Sequence, residues 1–209
     1  MRYPGARGHG VVDVLIDEEA LRRRVSELGR DLDALYPDSA NDPPLLIGVL
    51  TGAVTFMSDL MRAMDGHVEI DFMAVSSYGA STRSSGVVRI IKDLDHVIAG
   101  RRVVVVEDIV DSGLTLRYLL ELLRQRQPRD IRVVALLRKE KAEAADVPVD
   151  LLGFEIPDEF VVGYGLDFAG LYRNLPCIAV LDPALLGNSS GEDTAEHPAR
   201  QATPEHDVG

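Results

Sequence analysis

Two adjacent carboxylates, Glu107 and Asp108, are followed at once by a polar turn, Asp111-Ser112-Gly113-Leu114-Thr115. Together these residue types suit a phosphorylated sugar. A turn that opens a helix offers unpaired backbone N–H groups, Gly113 lets the backbone come close, and the Ser112 and Thr115 hydroxyls add donors, so the segment can cradle a phosphate monoester. The carboxylates ahead of it suit ribose hydroxyls, a Mg²⁺ ion, or both. Lysine is absent from the turn. Neither GxxxxGK[ST] nor GxGxxG occurs in the chain, so the cradle is neither a P-loop nor a dinucleotide fingerprint.

The elements that must position these groups follow from periodicity. Val103-Val104-Val105-Val106 is the text of a strand buried on both faces of a parallel sheet, ending in the acid pair. Leu114 to Gln127, closed by Pro128, reads as a helix, and Ile131–Leu137 as the next buried strand. Upstream, Leu21, Val25, Leu28, Leu32 and Leu35 line one face of a helix over 18–36 that Asp17 can cap. Leu45–Leu50, Thr51-Gly52 and the apolar spacing from Val54 to Met64 read as strand, turn and helix. Val68–Ser77 and Val87–Lys92 are extended segments joined by a Ser/Gly-rich loop, 78–86, which suits a lid. The pattern is α/β with helices on both faces of the sheet, and ligands of such sheets bind beyond the carboxyl ends of the strands.

Composition bounds the partners. The 209 residues carry 22 Lys+Arg against 34 Asp+Glu, a formal net charge of −12, which argues against nucleic-acid duplexes and anionic membranes. The single Cys177, placed in an apolar strand, excludes an internal disulfide framework and fits a cytoplasmic protein. Residues 188–209 hold five acids and almost no large apolar side chain, and read as a disordered acidic tail after a domain spanning 1–187. His67 and His96 flank strands and are assigned no role.

The order of strand, acid pair, hydroxyl-glycine turn and helix resembles the phosphoribosyl-pyrophosphate signature of the type I phosphoribosyltransferases. Further segments narrow the likeness. Leu50-Thr51-Gly52-Ala53, Ser77-Tyr78-Gly79, Leu137-Arg138-Lys139, Phe160-Val161-Val162-Gly163-Tyr164-Gly165-Leu166-Asp167 and Arg173 together resemble the hypoxanthine-guanine phosphoribosyltransferases over about residues 12–183. Thr51 stands where some members carry lysine.

The resemblance implies a mainly parallel central sheet flanked by helices, with a small hood and a flexible lid loop. It implies transfer of a phosphoribosyl group from phosphoribosyl pyrophosphate to hypoxanthine or guanine, with Mg²⁺. Glu107 and Asp108 would meet the ribose and, with Asp167, the metal; Asp111 to Thr115 (Asp111, Ser112, Gly113, Leu114, Thr115) would hold the 5′-phosphate. Thr51, Gly52 and Arg173 would meet pyrophosphate, Leu50–Thr51 being a cis peptide. Lys139, Phe160, Val161 and Asp167 would meet the purine, Ser77 and Tyr78 would belong to the lid, and Asp111 would exchange a proton with the base. Taken singly, Phe160 also reads as core, Lys139 as a solvated side chain, and Asp111 as a loop-ordering residue. A dimer or tetramer is implied. A transferase preferring xanthine, or an RNA-binding regulator on the same fold, are the alternative readings.

Overall fold

The computed structural model describes residues 10–77, 88–141, 144 and 146–186. The tail 188–209, the loop 78–86 with Tyr78, and residues 1–9 lie outside the described residues. A six-stranded sheet forms the body: β2 (Leu45–Leu50), β3 (Glu69–Ser77), β4 (Val88–Lys92), β5 (Arg102–Val110), β6 (Asp130–Lys139) and β7 (Leu151–Ile156) lie in the order β4-β3-β2-β5-β6-β7. All neighbours pair in parallel except β4, which runs antiparallel to β3 at one edge.

Strand β5 sits near the middle because its valines serve both faces. Val104 and Val106 join the core under α1 (Glu18–Leu35) and α2 (Val54–Ala63); Val103 and Val105 join the core under α3 (Leu114–Gln125). All four are fully buried. The strand continues through Glu107-Asp108 to Val110 instead of stopping at the acid pair, since parallel pairing with β6 extends as far as Val110↔Arg138. Helix α3 ends at Gln125, two residues short of the expected Gln127.

Helix α1 starts where Asp17 caps it, Oδ1 accepting from the Ala20 N–H at 2.8 Å, with Glu18 and Glu19 in the first turn. Its Arg24 donates to the Leu152 and Gly153 carbonyls at 2.7 and 3.1 Å, tying the helix to the edge strand β7. A second, antiparallel sheet joins β1 (Val11–Ile16), β9 (Ile178–Leu181) and β8 (Val161–Val162), and a last helical turn, Pro183–Leu186, follows. This hood has its own small core of Val11, Val162, Cys177, Ala179 and Leu181. Cys177 is buried as expected, although it immediately precedes β9. Among the described residues no helix is long and apolar enough to cross a membrane.

One buried carboxylate anchors the β3–β4 hairpin. Asp71, 4% exposed, accepts from the backbone N–H groups of Asp95 and His96, both at 2.9 Å; His96 Nδ1 also lies 2.9 Å away, and Lys92 Nζ is at 3.6 Å. His96, assigned no role from its sequence position, is thus part of this anchor. Burial pushes the Asp71 carboxyl up, but the bonds from His96, Phe72 and Asp95 outweigh it and hold the group below its ordinary range. Asp71→Ala leaves the part-buried N–H groups of Phe72, Asp95 and His96 without their acceptor, a loss of about 2–3 kcal/mol. In a chain of this size that lowers Tm by roughly 5–10 °C. A carboxyl with a depressed folded value stabilises fully above its unfolded value of about 3.9 and loses that contribution as pH falls through the folded one. Thermal melts of wild type and variant should therefore differ most above about pH 4 and converge below it.

Candidate active site

The carboxyl ends of β2, β5 and β6 meet the hood across a cleft of about 270 Å³. Thr51 and Gly52, Asp108 and Asp111, Lys139, Phe160 and Val161, Asp167 and Arg173 all line it. Residues scattered over more than a hundred positions of chain therefore share one cavity, as the motifs implied. Ser112, Gly113, Leu114 and Thr115 do not line it; they form the adjoining turn and the start of α3. Gly113 holds φ +75° at the N-cap of that helix, and a Cβ there would lie 2.1 Å from Val147 Cγ2, so glycine is required by both backbone and neighbour. Ser77 is the last residue of β3.

Glu107 departs from expectation. Asp108 lines the cleft; Glu107 does not, and is 8% exposed with its Oε2 buried and without a hydrogen-bond partner. Burial, and then the neighbouring Asp108 charge, push the Glu107 carboxyl well above the usual range. Burial likewise raises Asp108 to about 6, against the Ile109 N–H bond at 2.8 Å and the Arg173 charge, while Asp167 raises it further.

The loop 51–53 closes over Asp108. The Leu50–Thr51 bond is cis, as the resemblance implied. A Cβ on Gly52 would lie 1.6 Å from Asp108 Oδ2, so any other residue there must push the carboxylate aside. On the hood side Arg173 bonds the Gly165 carbonyl at 2.6 Å and pairs with Asp167 at 2.8 Å, and Asp167 also accepts from the Gly170 N–H. The Tyr164 hydroxyl, 2.6 Å from Asp59 Oδ2, fastens the same loop to α2. Among the described residues no three His, Cys, Asp or Glu side chains converge into a metal cage.

Across the cleft lies a group of four charges. Asp111 is held by Lys139 at 3.2 Å and Lys141 at 2.8 Å, and both lysines also reach Asp158, at 3.3 and 2.7 Å. Burial raises the Asp111 carboxyl, but the two lysines more than offset it and keep the group below its ordinary range. Asp158 and Lys141 went unrecognised in the sequence. Their only signal is position, each two residues beyond the last residue of a paired parallel strand end, Lys139 on β6 and Ile156 on β7. Phe160 is 40% exposed and packs edge-on against Phe168 with centroids 5.6 Å apart, leaving a face for a planar ligand.

The chain matches the phosphoribosyl transferase domain family over residues 18–169. It is 54% identical over 177 residues to a hypoxanthine-guanine phosphoribosyltransferase of Bacillus subtilis, covering 85% of this chain and 97% of that one. A hypoxanthine phosphoribosyltransferase structure from Staphylococcus aureus superposes with a TM-score of 0.81 at 42% identity, covering 88% of this chain and 98% of the other. A Trypanosoma cruzi hypoxanthine phosphoribosyltransferase variant complexed with its product IMP gives 0.80 at 36% identity, with 88% and 98% covered.

The Gly52–Asp108 contact is directly testable. Gly52→Ala should displace the Asp108 carboxylate in a crystal structure, and a displacement of about 1 Å in such a site lowers turnover roughly 10²-fold. A variant with wild-type kinetics would mean the loop has room that the geometry denies it.

Proposed function

This chain belongs to the phosphoribosyltransferase family, with hypoxanthine-guanine phosphoribosyltransferases as its relatives, and on that premise we propose a purine-salvage reaction for it. The enzyme transfers the 5-phosphoribosyl group of phosphoribosyl pyrophosphate to hypoxanthine or guanine, giving IMP or GMP and pyrophosphate. The observation that carries the reading is the single cleft that sets an under-compensated acid, Asp108, opposite the Lys139–Asp111 pair, with Phe160 at its edge.

The bond from ribose C1′ to the pyrophosphate oxygen breaks, the bond from C1′ to purine N9 forms, and the proton displaced from the base leaves from N7. Asp111 accepts that proton; held ionised by two lysines, it is in the accepting form at neutral pH. Lys139 donates to the 6-oxo group, Phe160 stacks on the ring, and Val161 meets its edge through backbone groups. The turn 111–115 receives the 5′-phosphate at the start of α3, where Gly113 supplies no side-chain cap and leaves first-turn N–H groups to an anion. Thr51, Gly52 and Arg173 face the pyrophosphate, and Asp108 the ribose hydroxyls.

The donor set suits Mg²⁺: Asp108 and Asp167 are hard oxygen ligands on one cleft, the Asp167 charge helps to raise the Asp108 carboxyl, and Glu107 beside them carries a buried oxygen without a partner. When bound there, the cation would neutralise charge on the departing pyrophosphate, with substrate oxygens completing its coordination. A homodimer or homotetramer in the cytoplasm completes the reading, supported by the family and by a single, buried cysteine.

Two measurements test this. Asp111→Asn should lower kcat by about 10²–10⁴-fold with little change in Tm, the usual scale of general acid–base catalysis. Assayed with phosphoribosyl pyrophosphate and Mg²⁺, hypoxanthine and guanine should be converted and adenine should not, because its 6-amino group presents a donor to the Lys139 ammonium. Efficient adenine turnover overturns the Lys139 assignment; preferential xanthine turnover, or RNA binding without any turnover, favours the alternatives.

A further inference from the structure

The reaction assigned to Lys139 asks it to leave its present partners. Nζ lies 3.2 Å from Asp111 and 3.3 Å from Asp158, and the side chain is 9% exposed, so it is fully engaged before any purine arrives. Were it the sole cation there, turning toward a 6-oxo group would leave two carboxylates, each 53% exposed, without a cationic partner.

Lys141 changes that balance. The parallel register Lys139↔Ile156 and the bond from the Glu140 N–H to the Ile156 carbonyl, 2.9 Å, bring the segments after β6 and β7 side by side. Lys141 Nζ thereby reaches both acids at 2.8 and 2.7 Å, closer to each than Lys139 is. Each Asp111 oxygen has its own lysine, Oδ2 with Lys139 and Oδ1 with Lys141. Lys139 is the looser member of the four-charge group, and hence the one that can depart.

We propose that Lys141 is a positioning residue. It keeps Asp111 and Asp158 compensated while Lys139 turns to the purine, and it fixes the Asp111 carboxylate as an ionised acceptor. The inference rests on the proposed reaction and deepens it: Lys141 touches no substrate and acts through Lys139 and Asp111. The charged groups facing Asp111 are Lys139 from β6, Lys141 from the segment after it and, beyond both, Asp158 from the segment after β7.

Lys141→Met and Lys141→Arg, both at a side chain 28% exposed, separate charge from packing. In Lys141→Met the KM for hypoxanthine should rise about fivefold, because Lys139 alone must serve two carboxylates. Asp111 also loses a neighbouring cation, so its proton affinity rises and the acid limb of kcat/KM should move about half a unit or more to higher pH. Lys141→Arg should restore both. An independent readout is the ¹³C titration of the Asp111 carboxyl in the full, ligand-free chain, assigned by its loss in Asp111→Asn; it should shift upward in Lys141→Met. If wild type fails to convert hypoxanthine, the functional reading falls, and the carboxyl titration still decides whether Lys141 holds Asp111. Unchanged KM and pH profile, or an unchanged titration, overturn the proposal.

Discussion

Taking an acid out of water with little compensation costs several kcal/mol, and this fold does it at two consecutive residues of its central strand. Glu107 keeps a buried oxygen with no partner, while Asp108 has one backbone bond and the field of Arg173. Much of the nearby architecture serves to hold that unfavourable pair in place. Gly52 gives up its side chain so that the 51–53 loop can close over Asp108. Arg173 is itself anchored, to the Gly165 carbonyl and to Asp167, so its charge stays near Asp108 without pairing with it outright. Tyr164 and Asp59 fasten that same loop to α2. The valines of β5 provide the burial that sustains the arrangement.

The cleft therefore has two electrical halves. Around Asp108 negative charge is under-compensated, which suits a cation and hydroxyl donors; around Asp111 two lysines and two aspartates balance one another. A substrate pair with a charged, metal-seeking sugar diphosphate and a flat, neutral base fits such a division. Proton exchange belongs on the balanced side, since a carboxylate among lysines stays ionised well below neutral pH, whereas Asp108, raised to about 6, starts to take up a proton just below it.

Much of this was legible in the residues because local text specified local structure. Four valines before two acids define a doubly buried strand and the edge where it ends, and Asp17 ahead of a four-three apolar rhythm defines α1. The illegible parts are pairings between distant segments. Nothing in Val11–Ile16 announces β9 as its partner, some 160 residues on, and nothing in Pro157-Asp158 announces two lysines beyond the end of β6. The sidedness of Glu107 and Asp108 was missed for a different reason. The pair reads as the tip of a strand, whereas β5 continues to Val110 and buries Glu107 while Asp108 reaches the cleft. In the sequence Gly113 reads as room for a phosphate; its positive φ and the crowding of Val147 show that the turn needs glycine before any ligand binds.

An acidic chain that handles a polyanion also has to solve a problem of range. The net charge of −12 is spread over the chain, and at physiological ionic strength charges beyond about 8 Å are largely screened. What a small ligand meets on entering the cleft is therefore the local set: Arg173, Lys139 and Lys141 against Asp108, Asp111, Asp158 and Asp167. That set carries three cations and four carboxylates, so side chains alone do not make the cleft attractive to a diphosphate. Backbone N–H groups at the start of α3 and a divalent cation supply the deficit, and neither appears in a count of charged residues. A nucleic-acid partner is in a different position. It would need cationic contacts along an extended surface, where the excess of acids works against it and no single metal compensates. The same composition that discourages a long polyanion thus leaves a compact one free to bind, provided that it brings its own counter-ion.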